Sequence, residues 1–231
     1  MPELPSSPHA APAAQRPWDA RLARRLVTPL KDGRTTPNHL TTVRLGCGLA
    51  AAAAFLPGTY GWTNVGALLL ILSNFLDHTD GELARISGKS SRIGHLYDLA
   101  SDALVTILLF VAMGVGVGVK VGPLLQAPPA LLGLVAGAAV AWVFYLRMRI
   151  ETMAGKTASK QAMLAGFETE DVLYLMPLVT LLNGLPPFLI AAALGAPLFA
   201  VWVAIDYRRA LRRVQRLAAQ QTPARQTSEA T

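Results

Sequence analysis

Four aspartates and an arginine lie in an otherwise apolar part of the chain, SNFLDHTDGELARISGKSSRIGHLYDLASDALV at residues 73–105. Residues three or four positions apart share one face of a helix. On that spacing the acids form two stripes with small residues between them: Asp77, Asp80, Gly81 and Ala84 on the first, and Gly94, Asp98 and Asp102 on the second. Two neighbouring helices joined by a short loop would turn these stripes toward each other, so we expect four carboxylates in one small volume close to hydrocarbon.

Such a cluster needs positive charge, because each buried carboxylate costs several kcal/mol and like charges repel. Arg85 alone cannot neutralise four acids. Oxygen-only ligands favour hard divalent cations such as Mg²⁺, Mn²⁺ or Ca²⁺, and four carboxylates fit a pair of ions better than one. The spacing leaves two functions open: metal-dependent chemistry on a phosphate, and cation transport, which intramembrane acids also mark.

The helices that carry these acids are predicted to cross a membrane. Of the 231 residues, 52% are hydrophobic and only 15% are charged, and the mean hydropathy is +0.39. Those values are typical of a membrane protein. With about 20 residues per span, the sequence predicts an all-α integral membrane protein with six transmembrane helices, at about 38–57, 61–80, 95–118, 128–150, 170–185 and 186–206.

Basic residues predict the orientation of this arrangement. They concentrate before the first span, in the 85–92 and 147–160 connections and after residue 206, whereas Lys120 is the only one on the other side. Cationic segments stay in the cytoplasm, so we expect both termini and the acid cluster at the cytoplasmic face of a bacterial inner membrane. Anionic lipid accounts for the net charge of +7 without a nucleic-acid partner.

Composition divides the chain into four parts. Residues 1–17 and 217–231 are predicted to be disordered, and residues 18–34 to form an amphipathic helix at the membrane interface. The six-helix domain occupies residues 35–216.

The aspartate motif resembles the signature of the CDP-alcohol phosphotransferases. Every fixed position of that signature is present: Asp77-x2-Asp80-Gly81-x2-Ala84-Arg85-x8-Gly94-x3-Asp98-x3-Asp102. The segment TPNHLTTVRL at 36–45 is also similar to the opening of the family's first span. The resemblance implies a membrane enzyme, with a homodimer by family analogy.

The resemblance also implies a reaction. In most of the family, CDP-diacylglycerol donates a phosphatidyl group to a small alcohol or phospho-alcohol, and CMP is released. In one branch, CDP-choline or CDP-ethanolamine donates its head group to a lipid alcohol instead. Two divalent ions, Mg²⁺ or Mn²⁺, would serve as cofactors.

Residue by residue, the resemblance implies a metal site and a nucleotide site. Asp77, Asp80 and Asp98 would bind the ions, and Asp102 would contact an ion and act as general base. The cytidine-diphosphate site would be lined by Gly81, Ala84 and Arg85, with Gly94 giving clearance. Sequence alone does not decide which acid is the base, because four coupled carboxylates titrate as a set.

Two polar residues near the motif, Arg85 and Asn38, have two interpretations each. Arg85 either contacts the ligand or reaches to lipid phosphates, as Arg44 could also do. Asn38 is either the N-cap of the first span or a contact to the nucleotide.

A second basic group follows the fourth predicted span. Its members are Arg147, Arg149, Lys156 and Lys160. They either mark the cytoplasmic side or hold a phosphate on the acceptor. The acids Glu168, Glu170 and Asp171 favour salt bridges there, or an uncharged or cationic acceptor.

Overall fold

The computed structural model describes residues 18–89, 91–118, 128–154 and 174–228, and within these ranges the chain is helical without a strand. The helices are α1 (Trp18–Val27), α2 (Pro37–Phe55), α3 (Tyr60–Ser87), α4 (Arg92–Val117), α5 (Pro129–Ala154), α6 (Met176–Leu181) and α7 (Leu185–Ser228), with a 3-10 turn at Thr28–Leu30. This confirms the all-α class.

Three segments of the described helices are long and apolar enough to span a membrane: Ile93–Val117, Pro129–Ile150 and Leu185–Arg213. They match the third, fourth and sixth predicted spans. The first two predicted spans correspond to α2, which is rich in Ala, Gly and Thr, and to α3, whose last third is charged. The fifth predicted span, 170–185, is described only from residue 174 and contains the six-residue α6. Residues 155–173 lie outside the described ranges. The count of six therefore stays a prediction.

The two ends of the described chain are both helical. Helix α1 buries Ala23 and Val27 and packs against α3, while Leu22 and Leu26 on its other side are exposed. Composition predicts an unstructured tail from residue 217, but α7 instead continues to Ser228. Half of residues 217–228 are Ala or Gln, which propagate a helix well. The predicted disorder of residues 1–17 concerns residues outside the described ranges.

Helix α2 packs against both α3 and α4, and these two make little direct packing contact in the described residues. Phe55 at the end of α2 is fully buried among residues of α3 and α4. The approach of α2 to α4 is close: a Cβ on Gly116 would lie 2.1 Å from the carbonyl oxygen of Phe55. The expected face-to-face pairing of the two acidic helices is thus replaced by a three-helix arrangement with α2 between them.

The turn between α3 and α4 brings the two acidic segments to the same end of the fold. Helix α3 ends at Gly88, whose φ of 66° lies in the left-handed region that glycine adopts freely. Helix α4 begins after Ser91, whose hydroxyl accepts a hydrogen bond of 2.9 Å from the backbone N–H of Gly94. A helix stop and a helix start within four residues keep the acids of both helices close together.

Candidate active site

Arg44 of α2 lies at the centre of the four aspartates. Its Nη1 donates to Oδ1 of Asp77 and, at 2.5 Å, to Oδ1 of Asp102, while Nη2 donates to Oδ1 of Asp98 at 2.7 Å. Its Nε lies 3.8 Å from Oδ2 of Asp80. Only 4% of Arg44 is exposed. The alternative in which Arg44 reaches out to lipid phosphates is therefore wrong, because its guanidinium points inward to carboxylates of α3 and α4.

Three of the four carboxylates converge closely enough to share a metal ion. Oxygens of Asp77, Asp98 and Asp102 lie within 4.8 Å of one another. These side chains are 32%, 35% and 38% exposed, so the cluster is open on one side. A single guanidinium leaves most of the charge of the four acids unbalanced. The donor set is all oxygen and net negative, which fits a hard divalent cation.

Asp80 differs from the other three acids. Its side chain is only 7% exposed, and it lies outside the group that converges within 4.8 Å. The hydroxyl of Thr41 on α2 donates a hydrogen bond of 2.9 Å to Oδ2 of Asp80. Burial and this hydrogen bond hold the Asp80 carboxylate in a fixed position.

Helix α2 is held against the site by small and polar residues. Ser73 of α3 donates a hydrogen bond of 3.2 Å to the carbonyl oxygen of Arg44. One turn further along α2, a Cβ on Gly48 would lie 2.6 Å from Cγ1 of Val105 on α4 and 3.2 Å from Oγ of Ser73 on α3. The absence of a side chain at Gly48 lets α2 approach both acidic helices at the level of Arg44.

The small residues of the motif have different surroundings. A Cβ on Gly81 would meet no described atom within 4 Å, so the face of α3 beside Asp77 and Asp80 is open. A Cβ on Gly94 would instead lie 2.7 Å from Oδ1 of Asn38. Gly94 therefore gives clearance to the start of α2, and Asn38 lies beside the motif.

Asn38 is not the N-cap of α2. That position belongs to Thr36, whose backbone N–H donates to Nδ1 of His39 at 3.3 Å. Asn38 lies inside the first turn, and its side chain is free of the capping role that the sequence suggested. Its second reading, contact to a nucleotide, stays a prediction.

Arg85 is 63% exposed and donates a hydrogen bond of 2.5 Å to Oε1 of Glu82, three residues earlier on α3. The Glu82 side chain is only 1% exposed. A buried carboxylate thus orients the exposed arginine of the motif, and sequence reasoning did not single out Glu82.

The basic residues predicted to hold the acceptor fall partly in the described chain. The guanidinium of Arg147 lies 5.5 Å from the ring centroid of Phe199, where α5 meets α7, and Arg149 is exposed. Lys156, Lys160 and the acids Glu168, Glu170 and Asp171 lie outside the described residues.

The site residues expected from the sequence omit two residues of α2 that contact the aspartates and a third that contacts α4 beside them. Thr41 and Arg44 bind the aspartates, and Thr42 lies 3.1 Å from the hydroxyl of Tyr97 on α4. A signal was available, since Thr41, Arg44 and Gly48 follow one another at spacings of three and four along TTVRLGCG.

Two similarities to known proteins agree with this arrangement. Over 135 residues the chain is 30% identical to the bifunctional IPC transferase and DIPP synthase of Rubrobacter xylanophilus, a match that covers 58% of this chain and 28% of that protein. The crystal structure of the phosphatidylinositol phosphate synthase of Mycobacterium tuberculosis with CDP-DAG bound superposes with a TM-score of 0.50 at 19% identity, over 85% of this chain and 93% of that one. The first similarity spans little more than a quarter of the relative, and the second is a likeness of fold.

The sequence profile described as CDP-alcohol phosphatidyltransferase matches residues 34–207. This range contains Arg44 and every position of the aspartate motif. Because the match runs through the whole site and most of the chain, the protein belongs to the CDP-alcohol phosphatidyltransferase family of transferases, as its motif predicted.

Proposed function

We propose that this protein transfers a phosphatidyl group from CDP-diacylglycerol to the hydroxyl of a small alcohol or phospho-alcohol and releases CMP, in phospholipid biosynthesis. The main support is the convergence of Asp77, Asp98 and Asp102 beside the open face at Gly81, in a member of this family. The relative that was solved with CDP-DAG bound has a similar fold, which supports CDP-diacylglycerol as donor.

The reaction is a displacement at phosphorus. The acceptor oxygen attacks the phosphorus that carries diacylglycerol, and the bond from that phosphorus to the oxygen bridging to CMP breaks. CMP leaves with the bonding electron pair, and the hydroxyl proton passes to a carboxylate. We assign this general base to Asp102, which is 38% exposed and therefore accessible to a hydroxyl from the open side of the cluster.

Two divalent ions, Mg²⁺ or Mn²⁺, are the proposed cofactors. Asp77, Asp80 and Asp98 would hold them, with Asp102 contacting one. Bound ions would neutralise the diphosphate and stabilise CMP as leaving group. The protein's own contribution is to hold the carboxylates in register: Thr41 fixes Asp80 through its hydroxyl, and α2 keeps α3 and α4 at a set separation.

The nucleotide is proposed to lie along the open face of α3. Gly81 offers space there, Ala84 lies one turn from Asp80 on the same face, and Arg85 is held by Glu82 at the exposed end of that face. Asn38, beside Gly94, is proposed to contact the nucleotide from α2.

The proposed setting is a bacterial inner membrane crossed six times, with α1 at the interface and the site and both termini in the cytoplasm. The excess of basic residues on one side supports this orientation. The exposed apolar residues of α4, α5 and α7 are suited to lipid contact or to a homodimer, which family analogy suggests.

The acceptor is tested by CMP release from purified protein with CDP-diacylglycerol and Mg²⁺ or Mn²⁺. Inositol phosphate, glycerol 3-phosphate, serine, inositol and glycerol are supplied one at a time. CMP release with one acceptor, abolished by a chelator, is the expected result. If a phosphorylated acceptor is used, Arg147→Gln, Arg149→Gln, Lys156→Gln and Lys160→Gln should raise its KM.

Two other results would replace the proposal. CMP release only with CDP-choline or CDP-ethanolamine and a lipid alcohol would exchange the roles of head group and lipid. No CMP release with either donor, together with metal uptake into sealed vesicles, would identify a divalent cation transporter.

A further inference from the structure

We propose that Arg44 is a built-in counter-ion of the aspartate cluster, which competes with divalent ions for the same carboxylate oxygens and is displaced when they bind. This role rests on the proposed metal-dependent function. It gives Arg44, which lies outside the aspartate motif, a specific part in setting how tightly the protein binds metal.

The contacts of Arg44 are those that an ion would need. Its two terminal nitrogens donate to one oxygen each of Asp77, Asp98 and Asp102. The same three side chains form the group whose ligand oxygens lie within 4.8 Å of one another. A guanidinium and a metal ion cannot both occupy the centre of this group, because both would direct positive charge at the same three carboxylates.

Because Arg44 is buried, its repulsion of a bound metal ion is strong. Arg44 is 4% exposed and comes from α2, which packs against both acidic helices. In such a site, water screens a positive charge within 4 Å of a second cation much less than it does at the surface. Metal binding therefore requires the guanidinium to leave the carboxylates.

The same contacts explain how the four acids coexist when no ion is bound. The carboxylates of Asp77, Asp98 and Asp102 would repel one another within a partly buried volume. Arg44 is the cation that bridges them in the described part of the chain. We therefore expect it to stabilise the protein in chelator and to weaken its affinity for metal.

The experiment uses the purified full chain in detergent, without donor or acceptor. Free Mn²⁺ is followed by electron paramagnetic resonance during a titration, and thermal unfolding is recorded in chelator and in Mn²⁺. The variants are Arg44→Gln, which removes the charge, and Arg44→Lys, which keeps it. Arg212→Gln is the control, because Arg212 is an exposed arginine in the second half of α7 and is not one of the residues that contact the aspartates.

Arg44→Gln is expected to bind Mn²⁺ at least about tenfold more tightly than the wild type. In chelator it should unfold at a lower temperature than the wild type, and Mn²⁺ should raise its unfolding temperature by more. Arg44→Lys and Arg212→Gln should bind within about threefold of the wild type. An Arg44→Gln variant that folds only when Mn²⁺ is present also supports the proposal, because the bound ion then replaces the missing positive charge.

Several results would overturn the proposal. Unchanged or weaker Mn²⁺ binding by Arg44→Gln would do so, as would a Gln variant that stays unfolded in Mn²⁺. A Lys variant that binds as tightly as the Gln variant would show that the charge is irrelevant. If the wild type binds no Mn²⁺, the metal-dependent function fails and this inference fails with it, whereas unchanged affinity in the Gln variant removes this inference alone.

Discussion

Substitutions at Gly81 should affect binding of the nucleotide without destabilising the fold. A side chain at this position would meet no described atom within 4 Å, so substitution should create no clash. Glycine within a helix is about 0.8–1 kcal/mol less favourable than alanine. Gly81→Ala and Gly81→Leu should therefore fold, with stability equal to or up to about 1 kcal/mol above that of the wild type.

The activity of these two Gly81 variants should fall, although their stability does not. If CDP-diacylglycerol lies along this face, a leucine there crowds the ligand, and overpacking costs roughly 1–3 kcal/mol. That cost corresponds to a loss of about 5- to 150-fold in kcat/KM, and Gly81→Ala should lose less. The assay is CMP release at varied CDP-diacylglycerol concentration, with thermal unfolding of the same preparations.

The matched control is Gly195→Leu. Gly195 lies within α7 and is exposed, and a Cβ added to it would likewise meet no described atom within 4 Å. This variant should keep full activity. The placement of the donor would be refuted if Gly81→Leu folded normally and retained wild-type kcat/KM, or if Gly195→Leu lost as much activity.

Three further outcomes are expected. Asp98→Asn keeps the shape of the side chain but removes its charge, so CMP release should fall below detection while circular dichroism stays unchanged; Asp32→Asn, at an exposed site, should be fully active. Thr41→Val removes the hydroxyl that holds a buried carboxylate and should lower the free energy of unfolding by about 1–3 kcal/mol, and Thr41→Ser should restore it. Gly133→Ala would place a Cβ 2.1 Å from the carbonyl oxygen of Phe110, so the midpoint of thermal unfolding should fall by several degrees; an unchanged midpoint would contradict the close packing of α4 and α5.

Local features of the sequence were sufficient to single out the four aspartates and the family. Asp77, Asp80, Asp98 and Asp102 could be recognised because helical spacing places each pair on one face, and because so many acids in apolar surroundings require a compensating cation. The helical class and the family also followed, since apolar length and a fixed motif are properties of short stretches of chain.

Which helix completes the site was decided only by tertiary packing. The spacing predicted two acidic helices facing each other, but α2 lies between them, because Gly48 and Gly116 permit close approach from a third direction. That packing turns Arg44 inward to four carboxylates more than thirty residues away along the chain. A single arginine in an apolar helix is compatible with lipid, solvent or protein contacts, and its spacing from Thr41 and Gly48 shows only which residues share its face of the helix. Electrostatic partners separated by this distance in sequence are fixed by the arrangement of the helices, so only the tertiary structure identifies the cation of the site.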